Sequence, residues 1–298
     1  MLVNPGNLRT LGTGFQALFQ GGLGQADADH LRLATVVPST TGKEEYGWLG
    51  KIPNVREWVG DRVVQNMKLH DYAIKNKDWE LTIGVDRNDI EDDNLGVYSP
   101  LFSEMGMSTG AKAAQLVFDL LKAGFATKCY DGQYFFDTDH PVLDADGAET
   151  SVANTDGGVG APWFLLSVER AIKPILLQSR KPWTFVARDR LTDDSVFDSK
   201  EFKYGADARM NVGYGFWQFA WGSKQALDAA HYATAVTSLQ SMKGDYGRPL
   251  GIGKKLMLVV PPVHQEAARR LLSSQLINGG ESNPWAGSAE LMVTPWLA

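Results

Sequence analysis

The chain has one cysteine in 298 residues, Cys129, so no disulfide can close within it and no cysteine-based zinc site is expected. Such a chain suits a reducing compartment, with Cys129 a small buried side chain. Long apolar runs are missing too. No stretch approaches the roughly 20 residues of a membrane span, and the opening MLVNPGNLRTLGTGFQALF has no basic segment followed by a continuous apolar core. The expectation is a soluble protein that does not leave the cell by a signal peptide. Positive charge is short: 29 lysines and arginines face 35 acids, for a net charge of -6 and a pI near 5.4. That balance argues against a protein that grips nucleic acid by neutralising phosphates. The five histidines stand singly, at positions 30, 70, 140, 231 and 264, and none has a catalytic partner beside it in sequence. What is present is a hydrophobic content of 44%, enough for a sizeable core and two domains.

Several segments imitate chemical motifs, and each departs from its pattern at a definable place. Residues 106–110, GMSTG, match the G-x-S-x-G nucleophile elbow. The helix that should leave the elbow is there, because Lys112, Gln115, Asp119 and Lys122 form one polar stripe in AKAAQLVFDLLKAGF. The incoming strand is not, since YSPLFSEM carries Pro100, Ser103 and Glu104. Ser108 or Thr109 as a helix N-cap accounts for the same residues without catalysis. DRNDIEDDN fails as a calcium loop because, counting from Asp86, Ile90 and Glu91 occupy the fifth and sixth positions; it reads as a solvated cluster ahead of a helix. FFDTDHP places Asp137, Asp139 and His140 together, but no second histidine or glutamate lies nearby and Pro141 with DADG marks a turn. GIGKKL lacks the phosphate-loop spacing, with Arg248 where the first glycine belongs and Lys255 in place of serine or threonine. GTGFQA has no strand before it, as a dinucleotide fingerprint needs. No catalytic, cofactor or metal residue is assigned.

The remaining features are organisational. The first 35 or so residues are glycine-rich, yet Leu11, Phe15, Leu18 and Phe19 share a helical face. A short amphipathic turn with glycine flanks needs something to dock on, either its own domain or a neighbouring subunit. WELTIGVD alternates as a half-buried strand, NMKLHDYAIKNK is a weaker one, and GWLGKIPNVREWVG between turns carries Trp48 and Trp58. The segment reads as a long hairpin whose tryptophans bury against a partner or in the local core. WFLLSVERAIKPILLQ reads as a helix interrupted by Pro174 and HYATAVTSLQSMK as another. NVGYGFWQFAWG reads as a strand with close backbone packing, and KLMLVV leads as a buried strand into the helix VHQEAARRLLSSQLI.

Six segments in order, EYGWLGKIPNVREWVGDR, VDRNDIEDDNLGVYSP, FFDTDHP, KEFKYGADARMNVGYGFWQFA, GRPLGIGKKLMLVVPP and NPWAGSAELMVTPWLA, resemble the Mu-like major head subunits of tailed bacteriophages along nearly the whole chain. The resemblance implies the α+β tailed-phage capsid fold and no enzyme. It implies an N-terminal arm over 1–35, an extended loop over 36–86, and a peripheral domain with its spine helix over 87–150. An apical domain would follow over 151–285, part of 183–222 returning to the peripheral domain, then a C-terminal strand over 286–298. The implied partners are further copies in hexamers and pentamers, a scaffolding or protease protein, a portal and decoration proteins. The shell would enclose DNA without binding it tightly, be assembled in the host cytoplasm and involve no membrane. Leu11, Phe15, Leu18, Phe19, Trp48 and Trp58 are the expected subunit contacts. Two other readings stay open: an encapsulin-like cellular shell and a serine hydrolase using Ser108.

Overall fold

The computed structural model describes residues 2–49, 72–277 and 279–298. In chain order the elements are α1 (Pro5–Gln25), α2 (His30–Leu33), β1 (Ala34–Pro38), β2 (Lys43–Glu45), β3 (Ala73–Lys75), β4 (Lys77–Asp86), α3 (Arg87–Glu91) and α4 (Tyr98–Ala123). Then come β5 (His140–Leu143), β6 (Glu149–Val152), β7 (Thr155–Gly158), β8 (Trp163–Ser167), β9 (Ile175–Arg188), α5 (Asp194–Ser199) and β10 (Glu201–Tyr214). The chain closes with β11 (Ala220–Lys224), α6 (Ala229–Ser241), β12 (Leu256–Val260), α7 (Gln265–Ser273), β13 (Leu276–Ile277), β14 (Glu281–Ser282) and β15 (Glu290–Val293).

Two sheets organise these elements. One has the strand order β1-β9-β10-β4 and the other β15-β12-β8-β11-β7. Strands β9 and β10, 14 residues each, form a long antiparallel ribbon, and β4 pairs with β10 along its whole length. The alternation expected of WELTIGVD is observed in part in β4, with Val85 buried and Ile83 and Trp79 half-buried but Leu81 exposed. The 26-residue α4 lies over this sheet and sends Val117, Phe118 and Leu121 into a core shared with Phe135, Phe136, Tyr214 and Met257. That core joins the two sheets. Against the other face of the five-stranded sheet, Tyr232 and Leu239 of α6 and Leu271 and Leu272 of α7 pack on Trp163, Leu165 and Leu258. At the C-terminus, β15 runs parallel to β12, and Lys122 Nζ of α4 donates to the Ala298 carbonyl at 2.8 Å.

Three expectations are corrected. WFLLS is no helix but β8, buried at every residue in the middle of its sheet, and Pro174 sits between β8 and β9. A strand covered on both faces reads as an unbroken apolar run, which periodicity cannot tell from a buried helix. The helix expected after GMSTG begins earlier, at Tyr98, because Pro100 occupies its first turn, where a missing N–H costs nothing. The N-terminal arm holds no short turn but a continuous 21-residue helix, started by Pro5 and capped by Asn4, whose side chain accepts from the Asn7 amide at 2.9 Å.

Candidate assembly surfaces

Gly22 of the arm and the two glycines of GMSTG have one explanation. Gly106 on α4 faces Phe19 and Gly22 on α1, and Gly110, one turn on, faces Leu23 and Ala26, so closely that no side chain fits. A Cβ on Gly106 would lie 2.1 Å from the Phe19 carbonyl oxygen, one on Gly110 2.4 Å from Ala26 Cβ, and one on Gly22 2.0 Å from the Ser103 carbonyl oxygen. Backbone meets backbone at this crossing. Ser108 lies between the two glycines, exposed inside an unbroken helix, and among the described residues its Oγ has the Glu104 carboxylate, at 3.4 Å, as its hydrogen-bond partner. The Thr109 hydroxyl donates back to the Gly106 carbonyl at 2.9 Å. Neither residue caps the helix, and there is no strained elbow.

Around the crossing, the arm's aromatic residues complete a core. Phe15 stacks on Phe102 at 4.1 Å between ring centroids and meets Tyr204 edge-on at 5.2 Å. Phe19 is fully buried, 5.5 Å from Phe185. Leu8 is buried with them, while Leu11 and Leu18 are half-buried at the margin. Each such aromatic contributes about 1.5–3 kcal/mol through burial. Of the two docking sites open to the arm, the structure uses its own chain. Phe15 and Phe19, expected as subunit contacts, are buried against their own chain, because a continuous helix supplies a longer apolar face than a short turn.

Strands β2 and β3 pair antiparallel, Lys43 opposite Lys75 and Glu45 opposite Ala73, and form the base of the expected hairpin. Trp48, just beyond that base, is half-buried between Tyr46 and Phe216, at 5.9 and 6.1 Å. Trp58 lies outside the described residues. Within the base, Glu44 accepts from the amides of Thr40 and Thr41, at 2.8 and 3.0 Å, and from Ser39 Oγ. These bonds lower its pKa to about 2. The acidic run after β4 forms α3, where Asp86 caps the first turn and Asp89 accepts from the Tyr98 hydroxyl at 2.5 Å.

Sequence reasoning missed other surfaces. Phe197, on α5 between β9 and β10, is 89% exposed. Val263 and Leu276 are also exposed, beside a cavity of about 570 Å³ lined by Leu271, Ile277 and Trp285 and edged by Asp228, Glu266 and Arg270. No sequence signal marks them, because an apolar residue on a short helix or at a loop end looks the same whether covered or bare.

The FFDTDHP segment is also more ordered than a turn cluster. His140 opens β5, fully buried and stacked on Trp217 at 3.9 Å between centroids. Its Nδ1 lies 2.7 Å from Oδ2 of Asp131, and the Cys129 thiol donates to Oδ1 of the same carboxylate at 3.0 Å. Burial would raise the Asp131 pKa, but the bonds from His140 and Cys129 outweigh it and hold the group below the usual carboxylate range. Burial, with the Asp131 charge, pushes the Cys129 thiol well up.

Among known proteins, the family model for the Mu-like prophage major head subunit gpT matches residues 8–297. The major capsid protein of Escherichia phage Mu is 42% identical over 306 residues, covering 100% of both chains. The Mu-like prophage FluMu major head subunit of Haemophilus influenzae is 44% identical over 281 residues, covering 92% of this chain and 91% of its own. A chain from the procapsid of bacteriophage JBD30 superposes with a TM-score of 0.87 at 43% identity, covering 99% of this chain and 100% of its own. One from the JBD30 capsid decorated with minor capsid protein trimers gives 0.78 at 35% identity, covering 94% of each.

Proposed function

The chain belongs to the Mu-like prophage major head subunit family, and from that premise we propose how its surfaces build a shell. It is the major capsid protein of a Mu-like phage head, with the tailed-phage capsid fold, in a family of structural and not enzymatic proteins. We assign residues 1–35 to the arm, 36–86 to the extended loop, 87–150 to the peripheral domain, 151–285 to the apical domain and 286–298 to the closing strand. The pairing of β9 and β10 with β4 favours placing part of 183–222 with the peripheral domain. Copies meet in hexamers and pentamers through the five-stranded-sheet domain, where Val263, Leu276 and the cavity beside them offer apolar contact. Neighbouring rings are tied by the extended-loop segment that holds Trp48 and by the α5 tip with Phe197.

The observation that carries this reading is the match across nearly the whole chain to capsid subunits. The greater likeness to the procapsid chain than to the decorated capsid chain supports a conformation near the procapsid state, from which maturation moves protomers as rigid bodies. A scaffolding or protease protein and a portal complete the head, and trimers of a minor capsid protein decorate it, as they do the JBD30 capsid. Assembly takes place in the host cytoplasm. The net charge of -6 fits a wall that encloses DNA without holding it. Light scattering with negative-stain electron microscopy of the full chain, alone and with scaffold co-expressed, tests the reading. Closed shells, tubes or rings of five or six are expected. A monomer that persists in both preparations would overturn it.

A further inference from the structure

Both ring nitrogens of His140 face oxygen acceptors. Nδ1 lies 2.7 Å from the Asp131 carboxylate and Nε2 lies 3.3 Å from Oδ1 of Asn154. The Asn154 amide is oriented by its other bonds: Nδ2 donates to the carbonyls of Phe135 and Trp217, at 2.8 and 3.4 Å, and Oδ1 accepts from the Asp137 amide at 2.9 Å. A neutral imidazole has one N–H, so it can satisfy only one of these acceptors. Asn154 Oδ1, fixed by these bonds, can accept from Nε2–H and so leave the Nδ1 lone pair free as a ligand atom. An outer oxygen that fixes the tautomer of a histidine is the usual support of a metal ligand.

Cys129 supplies the rest. Its Sγ, the Asp131 carboxylate and His140 Nδ1 all lie within 4.8 Å of one another, in a largely buried site. We propose that Cys129, Asp131 and His140 form a zinc site. The mixture of sulfur, nitrogen and oxygen donors suits zinc and does not suit magnesium or calcium, which take oxygen alone. Charge agrees as well: a thiolate and a carboxylate carry two negative charges, and Zn²⁺ makes the buried cluster neutral. Binding replaces the Cys129 S–H bond with a Zn–S bond, adds a Zn–N bond at the His140 Nδ1 lone pair, and releases the thiol proton to solvent. The acids next to His140 in sequence stay outside the site, since Asp137 accepts from the Tyr134 and Thr138 amides and Asp139 from the Ser151 hydroxyl. Bound zinc would clamp the segment after α4 to β5 beneath Trp217.

The test uses the full chain, purified without a histidine tag, loaded with zinc and dialysed against metal-free buffer. About one zinc per chain and about one proton released per zinc are expected. Cobalt in place of zinc should give a thiolate-to-cobalt charge-transfer band. Cys129→Ser should remove the band and weaken zinc retention about tenfold or more. The cobalt and proton measurements need only the wild type, so they decide even where the variant folds poorly. No retained zinc, or zinc retained with no thiolate band, would overturn the proposal. Nitrogen NMR showing both His140 ring N–H protons in the zinc-loaded sample would do the same and leave a proton-held cluster.

Discussion

The contact of α1 with α4 and the contact of α6 and α7 with the five-stranded sheet both seat helices, yet they use opposite materials. The first is shaped by removal: Gly22, Gly106 and Gly110 let two backbones touch, and aromatic residues pack around the crossing. The second is filled: Tyr232, Leu239, Leu271 and Leu272 fit against Trp163, Leu165 and Leu258 with bulky side chains. A filled contact is damaged by taking atoms away, whereas a crossing of glycines is damaged by adding them. The two regions should therefore respond to mutation with opposite logic.

The largest expected effect lies in the filled region. Leu239→Ala, at a fully buried position, should cost about 2–5 kcal/mol through lost burial and the cavity left behind, read as a lower denaturant midpoint. Next comes Gly106→Ala, where one added methyl meets the Phe19 carbonyl. A cost of about 1–3 kcal/mol is expected, with faster proteolysis within residues 5–25 as α1 lifts. An unchanged midpoint would remove the crossing as a determinant. Gly14→Ala, on α1 with nothing within 4 Å of the new Cβ, should instead stabilise by about 0.5–1 kcal/mol. If both substitutions destabilised alike, glycine there would be serving flexibility and not close approach.

Smaller effects sharpen the contrast at the surface. The pKa of Glu44 is depressed in the folded chain, so its stabilisation of the Ser39–Glu45 turn is complete above the usual carboxylate range. It is lost as pH falls toward about 2. Amide exchange of Thr40 and Thr41 should quicken over that window, and Glu44→Gln should flatten the dependence. Ser108→Ala, exposed on α4, should change stability by less than about 0.5 kcal/mol. A fluorophosphonate probe should leave Ser108 unlabelled; labelling would revive the hydrolase reading.

What the sequence made legible follows the same division. Where side chains fill space, their periodicity shows: β4, α6 and β12 stand where alternation, helical spacing and a short apolar run place them. The reading slipped at β8, because burial on both faces erases the period, and at α4, because Pro100 looked like a break and was a first-turn residue. Glycines mislead more deeply. In α1 they suggested flexible flanks, and in GMSTG a catalytic turn, since a glycine's use is set by the backbone opposite it. The cluster of Cys129, Asp131 and His140 was hidden for a related reason: the acids beside His140 in sequence are not the groups the fold brings to its ring.

The most direct test of the glycine crossing as a requirement for a protomer that can form shells compares wild type with Gly106→Leu, by negative-stain electron microscopy beside a denaturation curve. Wild type should give closed shells. The variant, with no room for its side chain at the Phe19 carbonyl, should keep a cooperative unfolding transition and give few or none. Shells from the variant that match wild type in number and diameter would contradict it.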